Sequence, residues 1–187
     1  MTRKKALELL HNNMENPNLR RHCYAVEAVM QALARRFKED EDKWGVVGLL
    51  HDGDYEKTRA TPEKHTLMME EWLKKEGVKD KEILSAILSH NYAHTGQNPP
   101  KNKLEWSLYC CDELTGFIVA VALVRPDRKL SSVTVESVLK KWDEKSFAAG
   151  VKREQIKECE GRLGIPLTDF IDLALKAMQG IAKDLGL

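Results

Sequence analysis

Apolar residues recur along most of the chain with the spacing of amphipathic helices. In residues 19–37 they follow one another at steps of three and four: Leu19, Cys23, Val26, Met30, Leu33 and Phe37. This spacing places the apolar side chains on one face of an α-helix. The same kind of pattern predicts further helices over these residues: 2–13, 42–50, 61–77, 80–90, 102–124, 133–142, 152–163 and 167–184.

Residues typical of helix ends support several of these boundaries. Asn18 is predicted to cap the second helix. Thr61 followed by Pro62 predicts the start of the helix that closes near residue 77, so His65 is expected in its first turn. Asn102 begins a capping-box pattern ahead of a strongly apolar helix.

Composition narrows the fold class to an all-α protein. Only 11 glycines and 6 prolines interrupt 187 residues, of which 42% are hydrophobic and 32% charged. No repeat or linker divides the chain, so we expect a single domain over residues 1–187, with helical additions after about residue 125. The net charge of +1 gives no basic field for a nucleic-acid polymer.

The sequence also favours a cytoplasmic protein without a membrane partner. Its start turns polar after Leu10, unlike a signal peptide. The longest apolar stretch, residues 114–124, is shorter than a membrane span and is typical of a buried helix. The four cysteines show no C-x-x-C spacing, which favours reduced thiols over a disulfide framework.

Polar residues that interrupt the apolar helices carry the candidate chemistry. Asp112 lies in a helix that is apolar nearly all round, where an unpaired carboxylate costs several kcal/mol to bury. His51 and Asp52 follow the apolar run of residues 46–50 directly. Three more histidines lie near helix ends or beside a packed face: His22, His65 and His90.

Four imidazoles and two carboxylates together form the ligand set of a transition-metal site. Any one of these histidines alone is more typical of an ordinary packed or surface residue, so the prediction depends on the whole set. Asp52 can bridge two ions through its two oxygens, and two ions about 3.5–4 Å apart can clamp a phosphate and generate a hydroxide. These ligands admit one or two divalent ions of Mn, Fe, Co, Ni or Zn.

The order of these residues resembles the HD superfamily of metal-dependent phosphohydrolases over residues 18–124. The blocks LLHDGDYEKT, ILSHN, CDELTGFIVAVALVRP and KSFAAGVKREQI are similar to a subgroup of small predicted HD hydrolases. The resemblance implies a compact HD-domain helical bundle with additional C-terminal helices. It assigns the first ion to His22, His51, Asp52 and Asp112, and the second to Asp52, His65 and His90. The catalytic carboxylates would be Asp52 and Asp112.

One departure from this pattern follows the His-Asp pair. Many relatives have an aliphatic residue there, whereas this chain has Gly53, which permits a tight turn. Asp54 then either orients His51 or a bound water, or is a solvated loop acid. His94 follows His90 by four residues, but the helix is expected to end between them, which leaves His94 at the rim of the site.

Five residues are candidates for substrate binding: Lys57, Arg59, His94, Lys152 and Arg153. Lys57 and Arg59 follow the His-Asp pair closely enough to reach a phosphate, although a solvated loop is the more ordinary setting for them. Lys152 and Arg153 begin a predicted helix after Gly150, and helix N-termini suit phosphate, with an ordinary interhelix turn as the alternative.

The function expected from the sequence is hydrolysis of a nucleotide or other small phosphorylated compound by metal-activated water. Two alternatives stay open. One is a binuclear-iron oxygenase of the same superfamily, which would use the same ligands. The other is a non-catalytic nucleotide-binding module in which a metal only stabilises the fold. The sequence contains no signal for the oligomeric state.

Overall fold

Two 21-residue helices, α2 (Pro17–Phe37) and α8 (Lys103–Leu123), form the centre of the protein. The computed structural model describes residues 1–187, and all of its regular structure is helical, which confirms the predicted all-α class. The other helices are α1 (Arg3–Asn13), α3 (Glu41–Leu50), α4 (Tyr55–Thr58), α5 (Leu67–Lys75), α6 (Lys81–His90), α7 (Tyr92–Thr95), α9 (Val135–Trp142), α10 (Arg153–Leu163), α11 (Leu167–Gly180) and α12 (Ala182–Leu185). Two short 3₁₀ turns lie at Pro62–Lys64 and Leu130–Ser132.

Helix α3 lies directly on the backbone of α2. Every residue of α3 from Trp44 to Leu50 is buried, as its continuous apolar run requires. At Gly48, a Cβ atom would lie 2.9 Å from the Cα of Glu27 and from the carbonyl oxygen of Val26, so only glycine allows this approach. The close contact places the C-terminal end of α3 beside the first turns of α2.

Helix α8 is long and apolar enough to cross a membrane by length and composition alone. In the structure, however, 56% of its most apolar 18-residue window is buried inside the protein. Helices α2, α6 and α10 pack against it, and Asp112 and Glu113 interrupt its apolar surface at mid-length. These contacts are those of a core helix, while the cytoplasmic location stays a prediction.

The C-terminal helices share the core of the N-terminal ones. One cluster of 44 buried hydrophobic residues extends from Ala6 in α1 to Leu185 in α12. Helix α10 packs on α8, and α11 packs on α2, α8 and α9. The helices after residue 125 therefore cover the same pair of central helices as the others do.

Two predicted helix starts are wrong. The cap of α2 is Asn16, whose side chain accepts hydrogen bonds from the N–H groups of Asn18 and Leu19, with Pro17 in the first turn. The region after Thr61 forms only a 3₁₀ turn without a side-chain cap. Because α5 begins at Leu67, His65 lies in the connection before it rather than in a helical first turn.

The capping box predicted at Asn102 forms only in part. Asn102 accepts a hydrogen bond from the N–H of Glu105, as expected. The Glu105 carboxylate instead accepts from the hydroxyl of Ser85 at 2.6 Å and from the N–H of Lys101 at 2.6 Å. Glu105 thus joins α6 to α8, which the local pattern does not reveal.

Candidate metal centre

His51 stands at the end of α3 with its ring fully buried. Its Nδ1 lies 2.7 Å from the carbonyl oxygen of Gly48. A carbonyl only accepts, so Nδ1 carries the hydrogen and Nε2 presents a lone pair. The last turn of α3 thereby fixes which nitrogen of His51 faces the site.

His22, from the second turn of α2, meets His51 and Asp112. Its Nε2 lies 2.8 Å from Asp112 Oδ1 and 3.2 Å from His51 Nε2. Asp112 Oδ1 also lies 3.4 Å from His51 Nε2. On the far side of the His22 ring, Nδ1 is 3.4 Å from the hydroxyl of Thr115, which itself donates to the Asp112 carbonyl at 2.8 Å. The ligand atoms of His22, His51 and Asp112 therefore converge in one group.

His65 is held by Asp54. Asp54 is fully buried, its Oδ1 accepts from His65 Nδ1 at 2.7 Å, and its Oδ2 accepts from the N–H of Met69 at 3.0 Å. This arrangement turns His65 Nε2 towards Asp52 Oδ1, 3.2 Å away. Asp54 is therefore neither a solvated loop acid nor a hydrogen-bond partner of His51.

Gly53 is explained by packing rather than by a left-handed turn. A Cβ at this position would lie 2.7 Å from Met69 Sδ and 3.3 Å from the carbonyl oxygen of Leu50. An aliphatic side chain would have to displace Met69, whose N–H is the anchor of Asp54. The glycine thus permits the tight fit that buries Asp54.

His90 completes the ring of imidazoles from the end of α6. Its Nε2 lies 3.2 Å from Asp52 Oδ1. The next residue, Asn91, donates through Nδ2 to the carbonyl oxygens of Pro62 at 2.9 Å and His65 at 3.3 Å. Asn91 therefore ties the connection that carries His65 to the helix that carries His90.

Asp52 lies between two groups of imidazoles. Its Oδ2 lies 3.8 Å from His22 Nε2 and 3.7 Å from His51 Nε2. Its Oδ1 lies 3.2 Å from the Nε2 atoms of both His65 and His90. Each carboxylate oxygen therefore faces a separate set of nitrogen ligands.

The order and geometry of these residues agree with a comparison against known families. The model of the HD domain family matches residues 19–158 of the chain. The protein belongs to the HD domain family. HD domains define a superfamily of metal-dependent hydrolases. Searches of curated proteins and of solved structures each gave no significant match.

Burial and neighbouring charges act in opposite directions on the pKa values of four side chains in the HD domain cluster. Burial favours the neutral carboxyl groups, but the surrounding imidazoles outweigh it and hold the pKa values of Asp52 and Asp112 well below their usual range. Burial also opposes protonation of His22, yet the hydrogen bond and charge of Asp112 raise its pKa to about 9. Asp52 and Asp54 likewise raise the pKa of His65 to about 9 against the effect of burial. The cluster thus attracts cationic charge.

The ligand atoms of the HD domain fit a metal ion. His22, His51 and Asp112 have ligand atoms within 4.8 Å of one another, and so have His51, Asp52 and His90. His51 and His65 each donate through Nδ1 to a partner outside the cluster, so their Nε2 lone pairs point inward at carboxylate oxygens. Without a metal, protons at these Nε2 atoms can bridge to the carboxylate oxygens, and a metal ion would take the place of those protons. Nitrogen and carboxylate ligands suit a divalent transition metal.

A cavity of about 350 Å³ opens above this cluster. Of the six predicted ligands, five line it: His22, Asp52, His65, His90 and Asp112. His51 lies behind them, fully buried. Arg59 is the sole lysine or arginine in the lining, and His94 also lines the cavity, from the short helix α7.

The other candidate cations lie outside the lining of this cavity. Lys57 donates to Asn13 Oδ1 at 2.7 Å and lies 4.9 Å above the ring of Trp72. Lys152 donates its backbone N–H to Glu113 at 3.1 Å. Neither ammonium group is part of the cavity wall in this arrangement.

Arg153 has a structural role instead of the predicted anion-binding one. Its guanidinium donates to the carbonyl oxygens of Trp142, Glu144 and Phe147 at 2.8, 3.1 and 2.7 Å. It also lies 4.9 Å over the ring of Phe117. With its Nε and Nη2 donors occupied, Arg153 fixes the connection between α9 and α10, and it does not line the cavity.

Several residues of the HD domain site were not identified from the sequence. Thr115 supports His22, and Asn91 supports the His65 connection, as described above. Glu113 lines the cavity beside Asp112, and Tyr109 and Gln155 line its far wall. Asn91 and Glu113 directly follow the predicted ligands His90 and Asp112, and this position is the sequence signal that could have identified them. Support of His51 by the Gly48 carbonyl has no side-chain signal at all.

Proposed function

We propose that the protein is a metal-dependent phosphohydrolase that acts on a small phosphorylated compound, such as a nucleotide, through metal-activated water. The observation that carries the proposal is the position of Asp52. Its two oxygens face two separate imidazole groups on the floor of a cavity that holds a cationic side chain. This arrangement suits two ions that share one carboxylate.

In this proposal His22, His51, Asp52 and Asp112 would hold the first ion. His65, His90 and Asp52 would hold the second. Divalent ions bound there would supply Lewis acidity and lower the pKa of a water molecule in the cavity. The negative charges of Asp52 and Asp112 would offset the positive charge of these ions.

The residues around the cavity favour water as the nucleophile. No serine or cysteine lines it, and the hydroxyl of Thr58 is already donated to the carbonyl oxygen of Asp54 at 2.9 Å. All four cysteines are buried in the core, and burial raises the pKa of Cys159 to about 12. A thiolate nucleophile is therefore not supported by the structure.

Substrate orientation falls to the polar residues at the cavity edge. Arg59 can form charge-assisted hydrogen bonds to phosphate oxygens and stabilise the charge that develops on them. Burial and the nearby Lys152 lower the pKa of His94, so its neutral ring can donate one hydrogen bond to the substrate. The buried bonds from Asp54, Gly48 and Thr115 keep three imidazoles in fixed orientations while the substrate binds.

The test combines metal analysis with a substrate screen. Protein purified with Mn²⁺, Fe²⁺, Co²⁺ or Ni²⁺ is expected to contain up to two ions per chain and to hydrolyse at least one phosphomonoester, phosphodiester or nucleotide. Asp52→Asn is expected to lose both metal and activity. His11→Gln is a matched control, because His11 is exposed and pairs with Tyr24 at 2.6 Å, away from the cluster.

The same experiment separates the alternatives. Absence of bound metal under all four conditions would refute the proposal. Iron-dependent oxygen consumption without phosphate release would favour an oxygenase. Tight nucleotide binding with no turnover for any metal would favour a non-catalytic module.

A further inference from the structure

A second cavity adjoins the candidate metal centre from the side of α12. It has a volume of about 490 Å³ and shares two lining residues, His22 and Gly116, with the first cavity. Both cavities therefore border on His22 and Gly116, between α2 and α8. A ligand that extends from the metal centre into the second space would pass these two residues.

The path follows one face of α8. Asp112, Gly116, Val119 and Leu123 succeed one another at steps of four, three and four residues, which places them on one stripe of the helix. The stripe begins at the cluster and ends at Leu123, whose side chain is 50% exposed. At Gly116 an added Cβ would have no neighbour within 4 Å, so the surface of α8 is open at the residue that both cavities share.

The chemistry of the second cavity is aliphatic. Val119, Leu123 and Leu185 form its walls, and the polar residues Asn18 and Arg21 lie at its exposed edge. Apart from the His22 ring, no aromatic side chain lines it, so it offers no stacking surface for a nucleobase. Burial of apolar surface is the main source of affinity available there.

We infer that this second cavity, called the α8 groove below, binds an aliphatic chain of the substrate whose phosphate lies at the metal centre. The inference rests on the proposed phosphohydrolase function and specifies its substrate class as alkyl phosphomonoesters. The phosphate occupies the first cavity near Arg59. The chain passes Gly116 and lies along Val119 and Leu123.

The experiment compares ethyl, butyl, hexyl and octyl phosphate, each below its micelle-forming concentration. With the metal-loaded protein, kcat/KM is expected to rise about fourfold per methylene group that enters the groove, which corresponds to about 0.8 kcal/mol. Equilibrium binding of the same esters to the metal-free protein, followed by titration calorimetry, is expected to show the same rise in affinity. The binding series reads the groove independently of turnover.

Two substitutions test the assigned walls. Leu123→Asp places a charge in the groove and is expected to lower the octyl-to-ethyl ratio of kcat/KM at least tenfold. Gly116→Leu places a bulky side chain where both cavities border on α8 and is expected to have the same effect on the ratio. Val124→Asp is the matched control, because Val124 is 59% exposed at the same end of α8 but does not line the groove. Its ratio is expected to equal that of the unmodified protein.

The outcomes separate the two proposals. A chain-length effect in binding that Leu123→Asp abolishes supports the groove, even if no ester is turned over, in which case only the phosphohydrolase function fails. Octyl phosphate that binds no tighter than ethyl phosphate overturns the groove. A chain-length effect that persists in Leu123→Asp and Gly116→Leu also overturns it, since the chain then lies elsewhere.

Discussion

At the scale of single residues, Asp54 differs most from an ordinary loop acid. Both of its oxygens accept hydrogen bonds, one from His65 and one from the backbone of Met69, and the side chain is fully buried. A carboxylate that accepts from an imidazole orients the ring and makes its other nitrogen a stronger ligand. Asp54 thereby connects the close packing of Gly53 against Met69 with the orientation of His65.

We expect Asp54→Asn to weaken metal binding at the group formed by His65 and His90 by about 10- to 100-fold. An amide has a single acceptor oxygen, so either His65 or the Met69 N–H loses its partner. Titration calorimetry with Mn²⁺ should then show one site near its original affinity and one weakened site. Asp127→Asn, at an exposed loop, is the control, and two sites of unchanged affinity in Asp54→Asn would contradict the assigned role.

Arg153 provides a second prediction at this scale. One guanidinium serves three carbonyl groups and covers Phe117, and a lysine ammonium cannot reproduce that planar set of donors. We expect Arg153→Lys to lower the free energy of unfolding by about 1–3 kcal/mol, without changing KM for a phosphate substrate. Arg35→Lys, in an exposed pair with Glu41 at 2.6 Å, should be nearly neutral.

Denaturant titration and steady-state kinetics measure the two effects separately. An increase in KM for Arg153→Lys with unchanged stability would restore the anion-binding role that the sequence predicts. The hydrogen bonds in the structure give the opposite expectation.

At the scale of secondary-structure elements, the packing of α3 on α2 decides where the His-Asp pair lies. The backbone of α3 at Gly48 touches the backbone of α2 at Val26 and Glu27, so neither helix can yield by moving a flexible side chain. The C-terminal end of α3 therefore has a fixed position along α2, which places His51 next to His22.

We expect Gly48→Ala to destabilise the protein by about 1–3 kcal/mol through overpacking, although alanine is the better helix former. Gly161→Ala, within α10, is the matched control. A Cβ there meets nothing within 4 Å, so alanine should stabilise the protein by up to about 1 kcal/mol. Thermal unfolding of both variants checks the opposite signs, and a stabilising effect of Gly48→Ala would show that α3 can move away from α2.

At the scale of the whole molecule, the cluster joins elements that are distant along the chain. Its side chains come from α2, α3, the connection before α5, α6 and α8. The two carboxylates and four imidazoles must come together for the site to exist, so metal binding and folding are coupled. Metal ions would act as cross-links in the middle of the helical bundle.

We therefore expect Mn²⁺ at about 100 times its Kd to stabilise the protein by about 2.7 kcal/mol for each site that it fills. For a chain of this length, each site then raises Tm by about 5–11 °C. A chelator should reverse the increase, and Asp52→Asn should show none. An equal increase in Asp52→Asn, measured by calorimetry, would mean that the stabilising ions bind elsewhere.

The all-α class, most of the helix positions and the set of residues that meet at the cluster could be predicted from the amino-acid sequence. Helical periodicity is a local property, and polar residues within apolar helices need partners wherever the chain folds. Predicted helix starts were wrong where local sequence signals competed. At Thr61 the Thr-Pro pair is compatible with a helix start, but the fully buried Asp54 holds His65 in a connection instead.

Which atoms meet at the cluster depends on the packing of the folded chain. The partners of Asp54 and the occupied donors of Arg153 follow from contacts between side chains and backbone groups that no local pattern records. The division of Asp52 between two imidazole groups depends on four separate parts of the chain. The physical reason is that side-chain orientation is set by packing between distant elements, such as α3 on α2, whereas sequence spacing specifies only which face of an element a residue shares.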